Sequence, residues 1–162
     1  MEQFRRFSEE HNRILLDEKY LFAYSKSDGF SNRLLSAEFV IDYEYNYVLE
    51  LRAFQHSTLT KNNSDTLIET GKVTGKELKY IEDLLSADFN SLKRIYDYEG
   101  LSIDDIGSQQ FFINLDKITK DIHIIDGLAI EYFKTEVEIL LFNFNEYMKN
   151  SIEKKYEHWI AK

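Results

Sequence analysis

At 162 residues the chain is long enough to bury a core without disulfides or metals, and 43% hydrophobic with 15% aromatic residues sets it apart from disordered chains. It contains no cysteine, which excludes disulfides and thiolate chemistry. Its net charge of −9 argues against binding a phosphate backbone, so no nucleic acid partner is expected, and it favours attraction towards basic partners.

In chain order, Phe4, Phe7, His11, Ile14 and Leu15 have helical spacing, which predicts a short amphipathic helix over residues 3–16. Arg5 and Arg6 make a positive start, but Ser8 to Asn12 is polar where a signal peptide needs an apolar run. No apolar stretch approaches the roughly 18 residues of a membrane span, so the expectation is a soluble, cytoplasmic protein. Lys19 to Ser25 reads as an aromatic-rich strand before the loop Lys26-Ser27-Asp28-Gly29. From Arg33 to Tyr45, Phe39, Ile41, Tyr43 and Tyr45 share one parity, with Glu38, Val40, Asp42 and Glu44 on the other. From Tyr47 to Gln55, Tyr47, Leu49, Leu51 and Ala53 oppose Val48, Glu50, Arg52 and Phe54. The alternation predicts an antiparallel pair with a tight link at Asn46. A polar turn over Thr60–Asp65 leads to a strand over Thr66–Lys72.

Thr74-Gly75-Lys76-Glu77 has the capping-box pattern and opens a helix whose inward face is Leu78, Ile81, Leu84, Leu85, Phe89 and Leu92. Asp97 to Gly107 reads as an acidic loop, Gln110–Leu115 with Lys120–Ile125 as a second hairpin, and Asp126-Gly127 as its close. Over residues 131–159, Phe133, Val137, Leu140, Leu141, Phe144, Met148, Ile152 and Trp159 form one helical stripe, with Glu136, Glu138, Asn143 and Asn145 among the residues turned towards water. Helix, strands, helix, hairpin and helix add up to one α+β domain over 1–162. The expectation is a mostly antiparallel sheet of about five to six strands with helices packed on one face and a long C-terminal amphipathic helix.

Chemical signatures are weak. Gly71-Lys72-Val73-Thr74-Gly75-Lys76-Glu77 has the wrong glycine spacing for a P-loop and a Glu where Mg²⁺ needs Ser or Thr. Asp42 with Glu50 and Arg52 resembles the acid and Glu-x-Lys arrangement of metal-dependent nucleases, but Arg cannot exchange a proton as Lys does. His11, His56, His123 and His158 are scattered, with no metal-ligand spacing, and the glycine of Asp97-Tyr98-Glu99-Gly100 comes too early for an EF-hand loop. No cofactor or metal is expected. What remains is surface. Glu38, Asp42, Glu44 and Glu50 are expected on the open sheet face, with Asp97, Tyr98, Glu99, Asp104 and Asp105 as a second acidic patch; together they make a candidate partner-binding surface.

The run Thr66-Leu67-Ile68-Glu69-Thr70-Gly71-Lys72-Val73-Thr74 into a helix, then the hairpin Gln110–Leu115 with Ile122–Gly127 and a closing helix, resembles the layout of small bacterial α+β immunity proteins that neutralise polymorphic or contact-dependent toxins. The likeness spans residues 66–148, with Asp116-Lys117-Ile118-Thr119 where the hairpin turn often carries Gly. It implies a small, acidic, non-catalytic protein that blocks a basic cognate toxin by occluding its cleft. The alternatives are a metal-dependent nuclease or hydrolase centred on Asp42 and Glu50, and a structural subunit whose partner is another copy of itself.

Overall fold

The computed structural model describes residues 7–10, 13–27, 34–54, 64–98 and 107–160. Strands β1 (Phe7–Glu10) and β2 (Arg13–Leu16) pair as a hairpin. An antiparallel meander follows: β3 (Tyr20–Ser27), β4 (Leu34–Asp42), β5 (Asn46–Phe54) and β6 (Ser64–Lys72). Helix α1 (Gly75–Ser86) and a 3-10 turn at Phe89–Ser91 carry the chain to the short strand β7 (Ile95–Tyr96). Strands β8 (Ser108–Leu115) and β9 (Ile118–Ile125) then precede the closing helix α2 (Glu136–Ile160). The fold is α+β, with a seven-stranded sheet in the order β6-β5-β4-β3-β8-β9-β7, antiparallel except where β7 meets β9. None of the described helices is long and apolar enough to cross a membrane.

Alternation sorts the strand residues onto two faces. Phe39, Ile41, Leu49 and Leu51 share one face with Tyr24, Phe111, Ile113 and Ile122, and the buried residues of both helices pack on it. On the other face Ala23, Val40 and Phe112 form a smaller apolar cluster with Leu16 and Tyr20, against which Ile14 packs. That second cluster corrects the helix expected over 3–16. The stretch holds the β1–β2 hairpin, while residues 3–6 and 11–12 lie outside the described residues. Ile14 and Leu16 meet the sheet at a step of two, so an apolar patch in need of cover overrides a helical spacing with little local strength behind it.

Helix α2 starts at Glu136, five residues later than the expected start. Phe133 stays buried outside it, stacked on Tyr96 at 4.9 Å. Of the helix stripe, Leu141, Phe144, Met148 and Ile152 are buried. The Phe144 ring stacks between Phe22 of β3 (5.6 Å) and Tyr80 of α1 (5.2 Å), with Phe111 of β8 edge-on at 5.5 Å. Asn145 and Glu138, expected towards water, are buried too. Burial of an amide demands partners. Tyr24 donates its hydroxyl to Asn145 Oδ1 at 2.9 Å, Asn145 Nδ2 donates to Gln109 Oε1 at 3.1 Å, and Gln109 Nε2 donates to Asp126 Oδ1 at 2.9 Å. Lys149, one turn on from Asn145, reaches Asp126 at 3.3 Å.

The capping box belongs to α2 rather than α1. Thr135 Oγ1 accepts the Glu138 N–H at 3.2 Å, and Glu138 Oε1 accepts the amides of Thr135 at 3.1 Å and Lys134 at 3.3 Å. At α1 the Thr74 side chain makes no capping bond, and Gly75 enters the helix at φ +64°. Glu77 instead faces Tyr147 of α2, whose phenol is pushed up to about 12, first by burial and then by that carboxylate. The β8–β9 hairpin turns on Asp116 and Lys117 at φ 51° and 65°, the type I′ geometry reached without glycine.

Three outcomes follow in urea or thermal unfolding. Phe144→Ala should cost about 3–5 kcal/mol. Asn145→Leu, which removes the acceptor Tyr24 uses and the donor Gln109 receives, should cost about 1–3 kcal/mol. Thr135→Ala should cost about 1 kcal/mol while Thr74→Ala changes stability by no more than a few tenths; equal losses at the two threonines would contradict the capping assignment.

Candidate functional site at the turn end of the sheet

The four acidic residues expected together on the open sheet face are separated by their local bonding. Glu38, Asp42 and Glu50 do lie on the face away from the helices, but they are not a bare row. Glu50 is only 8% exposed and is bound by Arg52 Nε at 2.7 Å. It stands directly opposite Glu38, which is half-buried. Like charges facing across a ladder are unfavourable unless cations answer them, and here the second residue along β5 supplies one. Asp42 is committed to the β4–β5 loop, where its Oδ1 accepts the amides of Glu44 and Asn46 at 2.9 Å each and its Oδ2 accepts Asn46 Nδ2 at 3.0 Å. Burial alone would raise the Asp42 carboxyl pKa; the Asn46 and Glu44 hydrogen bonds and nearby Lys72 outweigh it and hold the value below normal. The link expected at Asn46 is the loop 43–45, closed by Tyr45 N–H on Asp42 O at 3.1 Å with Tyr45 at φ 64°.

In the second patch, Asp97 is exposed just beyond β7. Tyr98 is half-buried, donating its hydroxyl to Gly127 O at 2.9 Å and packing edge-on against Tyr132. Glu99, Asp104 and Asp105 lie outside the described residues, as do His11, His56 and most of the turn expected over 60–65.

The tertiary structure does assemble an acidic surface, at one end of the sheet. The antiparallel register brings the β2–β3 turn (Asp17, Glu18, Lys19), the β4–β5 loop (Tyr43, Glu44) and the β8–β9 turn (Asp116, Lys117) to the same end. Tyr43 ties two of these turns together, its hydroxyl donating to Asn114 O at 2.6 Å while the residue stays 48% exposed. Burial and the Asp116 charge raise its phenol pKa. Asn114 Nδ2 in turn holds Tyr20 O at 3.3 Å, and Lys72 Nζ holds Glu44 O at 2.9 Å. A shallow hollow of about 460 Å³ opens beside Tyr43, lined by Lys19, Tyr20, Val40, Asp42, Asn46 and Val48. Acidic side chains outnumber basic ones across these turns, and three backbone-anchored loops hold them in place.

A smaller cleft of about 230 Å³ lies between the β5–β6 edge and α2, over Phe39, Leu49, Met148 and Ile152. On its rim Glu69 Oε1 accepts both the Tyr47 hydroxyl and Lys155 Nζ at 2.7 Å. The Lys155 bond, with Tyr47's, lowers the Glu69 carboxyl, and burial pushes the Tyr47 phenol up to about 12. These two bonds make the trio a clamp between β6 and α2. Gly71 is explained here as well: it faces Tyr47 in register, and a Cβ would come within 3.1 Å of the ring. His123 lies between Gln110 Nε2 at 3.1 Å and Asp121 at 3.6 Å; burial lowers its pKa, Asp121 opposes that, and Arg94, itself bound to Asp121, adds to the lowering. Asp42 and Glu50, proposed above as one metal-binding centre, stand four residues apart in register, about 13 Å along the strands. That separation is too great for a shared ion.

A carboxyl whose folded pKa is depressed contributes stability above its unfolded value and loses it as pH falls through the folded one. Asp42 therefore stabilises the β4–β5 loop above the ordinary aspartate value of 3.8, and this contribution drains away on acidification below it. Melting curves taken from about pH 6 to about pH 3 should show a shallower acid decline for Asp42→Asn than for the wild type; identical declines would remove Asp42 from that role.

No known protein family matches this chain, and no curated protein matches it either.

Proposed function

We propose that the chain is a non-catalytic binding domain of the immunity type, which seats a basic protein partner on the turn end of the sheet and so occludes that partner's cleft. The observation that carries this reading is Tyr43: half its surface is exposed among acidic turns, yet its hydroxyl is fixed on Asn114 O. An aromatic side chain already held in place loses little entropy when a partner covers it, which is the property of an interface anchor. The Asp116 charge acts on Tyr43 directly, Glu44 follows it in the loop, Glu18 is exposed on a neighbouring turn, and the net charge of −9 adds attraction at longer range. Asp42 keeps its charge but spends its oxygens within the loop, so it steers a partner without touching it. Glu38 and Glu50 belong to the sheet's internal pairing more than to contact.

The test uses the product of the neighbouring reading frame as the candidate toxin, with growth rescue and binding kinetics as readouts. Tyr43→Ala should weaken binding at least about tenfold, mainly through faster dissociation. Glu18→Lys, Glu44→Lys and Asp116→Lys combined should slow association about tenfold at low salt, with the difference shrinking at high salt. Unchanged rates in both variants, or a product that is neither bound nor neutralised, would overturn the reading.

A further inference from the structure

Strand β6 closes one side of the sheet, with β5 its neighbour among the described residues. Just beyond it, Val73 donates its N–H to Tyr45 O at 2.9 Å, and the β5–β6 register runs without a shift from Asn46↔Lys72 to Phe54↔Ser64. In an antiparallel ladder, successive residues alternately point both backbone groups at the neighbour and both away. Odd-numbered residues of β6 therefore bond to β5, and the N–H and C=O groups of Thr66, Ile68 and Thr70 point outward. All three residues are exposed, Ile68 by 61%. Natural edges are usually blunted by proline, a bulge, an interior lysine or brevity. β6 is nine residues long, contains no proline, keeps an unbroken register and carries its only lysine at its last position.

The geometry points to this edge as the seat of a second copy of this chain, paired antiparallel about Ile68 so that the sheet continues across a two-fold axis. Self-pairing must preserve the two faces, so the register can shift only in steps of two residues. Charge then chooses among the centres. Pairing about Glu69 would set Glu69 against itself, and pairing about Leu67 would set Glu69 opposite Asp65. Pairing about Ile68 opposes no like charges: Ile68 meets Ile68, Thr66 meets Thr70, Ser64 meets Lys72 and Leu67 meets Glu69. On the helix face, Leu67 borders an open hollow lined by Trp159, His158 and Lys154, and the arriving Glu69 is placed beside that lysine. Apolar contact, charge and backbone hydrogen bonds thus favour the same register.

Sedimentation velocity of the full chain from about 1 μM to about 500 μM should show a monomer giving way to a dimer. Ile68→Pro removes an outward N–H and leaves the β5 ladder intact, and Ile68→Lys puts a charge at the centre of the pair; both should stay monomeric across the series. If the proline variant fails to fold, the lysine variant carries the test, because its site is exposed. The chain has no cysteine, so Ile68→Cys gives a single thiol. Facing Cα atoms of a hydrogen-bonded pair lie about 5.5 Å apart, within disulfide range, so mild oxidation should link two copies of Ile68→Cys and spare Ile139→Cys on α2. A wild type that remains monomeric throughout, or a dimer that survives Ile68→Lys, overturns the proposal. Glu44→Lys should dimerise normally, which separates this edge from the turn-end site.

Discussion

The fold depends on the seating of α2, and that seating is concentrated in two adjacent residues. Phe144 meets β3, β8 and α1 at once, with its ring between Phe22 and Tyr80 and against the edge of Phe111. Stacking alone would let the helix slide, since apolar contact is non-directional. Asn145 supplies direction. Its amide sits between Tyr24 of β3 and Gln109 of β8, and Gln109 continues to Asp126, where Lys149 of the same helix arrives. A one-turn displacement of α2 would strand these polar groups in the interior, at a cost comparable to losing several hydrogen bonds.

With one face of the sheet filled by helices, the other face decides which acidic side chains remain available. Its centre is apolar and covered by the β1–β2 hairpin, through Leu16 and Ile14. On β4 and β5 it is polar but internally committed, with Glu50 held by Arg52 and Asp42 wrapped into its own loop. Exposed acidic side chains stand instead at the turns, with Glu18, Glu44 and Asp116 among them. A meander followed by a hairpin inserted beside β3 places three of those turns side by side. The acidic end is thus a consequence of topology. Rigidity follows from the same arrangement, since the turns are tied to each other through Tyr43, Asn114 and Lys72.

The C-terminal end and the middle of β6 relate differently to these features. Its C-terminal end joins the acidic turns through Lys72, and its middle is clamped from the helix side, where Glu69 receives Tyr47 and Lys155. That clamp supports a strand whose register with β5 is unbroken, while β5 is its one strand neighbour among the described residues. Gly71 permits the overlap by making room for the Tyr47 ring. A rigid, regular edge is a better template for another strand than a frayed one.

Period-two alternation determined β4 and β5 and the inward identity of Phe39, Ile41, Leu49 and Leu51. A stripe at helical spacing likewise determined α2 and the burial of Leu141, Phe144, Met148 and Ile152. These signals are long and are set by burial on one side, so they survive without knowledge of neighbours. Only the tertiary structure decided the rest. Thr-x-x-Glu occurs before both helices, and the backbone at Gly75 together with the pull of Tyr147 on Glu77 leaves just the Thr135–Glu138 box formed. Four-residue strands such as Arg13–Leu16 are too short for a period to register, and their partner is a patch built from β3, β4 and β8. Asn145 looks solvent-facing on a helical wheel because a wheel cannot show that Tyr24 and Gln109 will stand opposite it. Whether a carboxylate is free or bound depends on which side chain the register sets across from it, and register is a property of the assembled sheet.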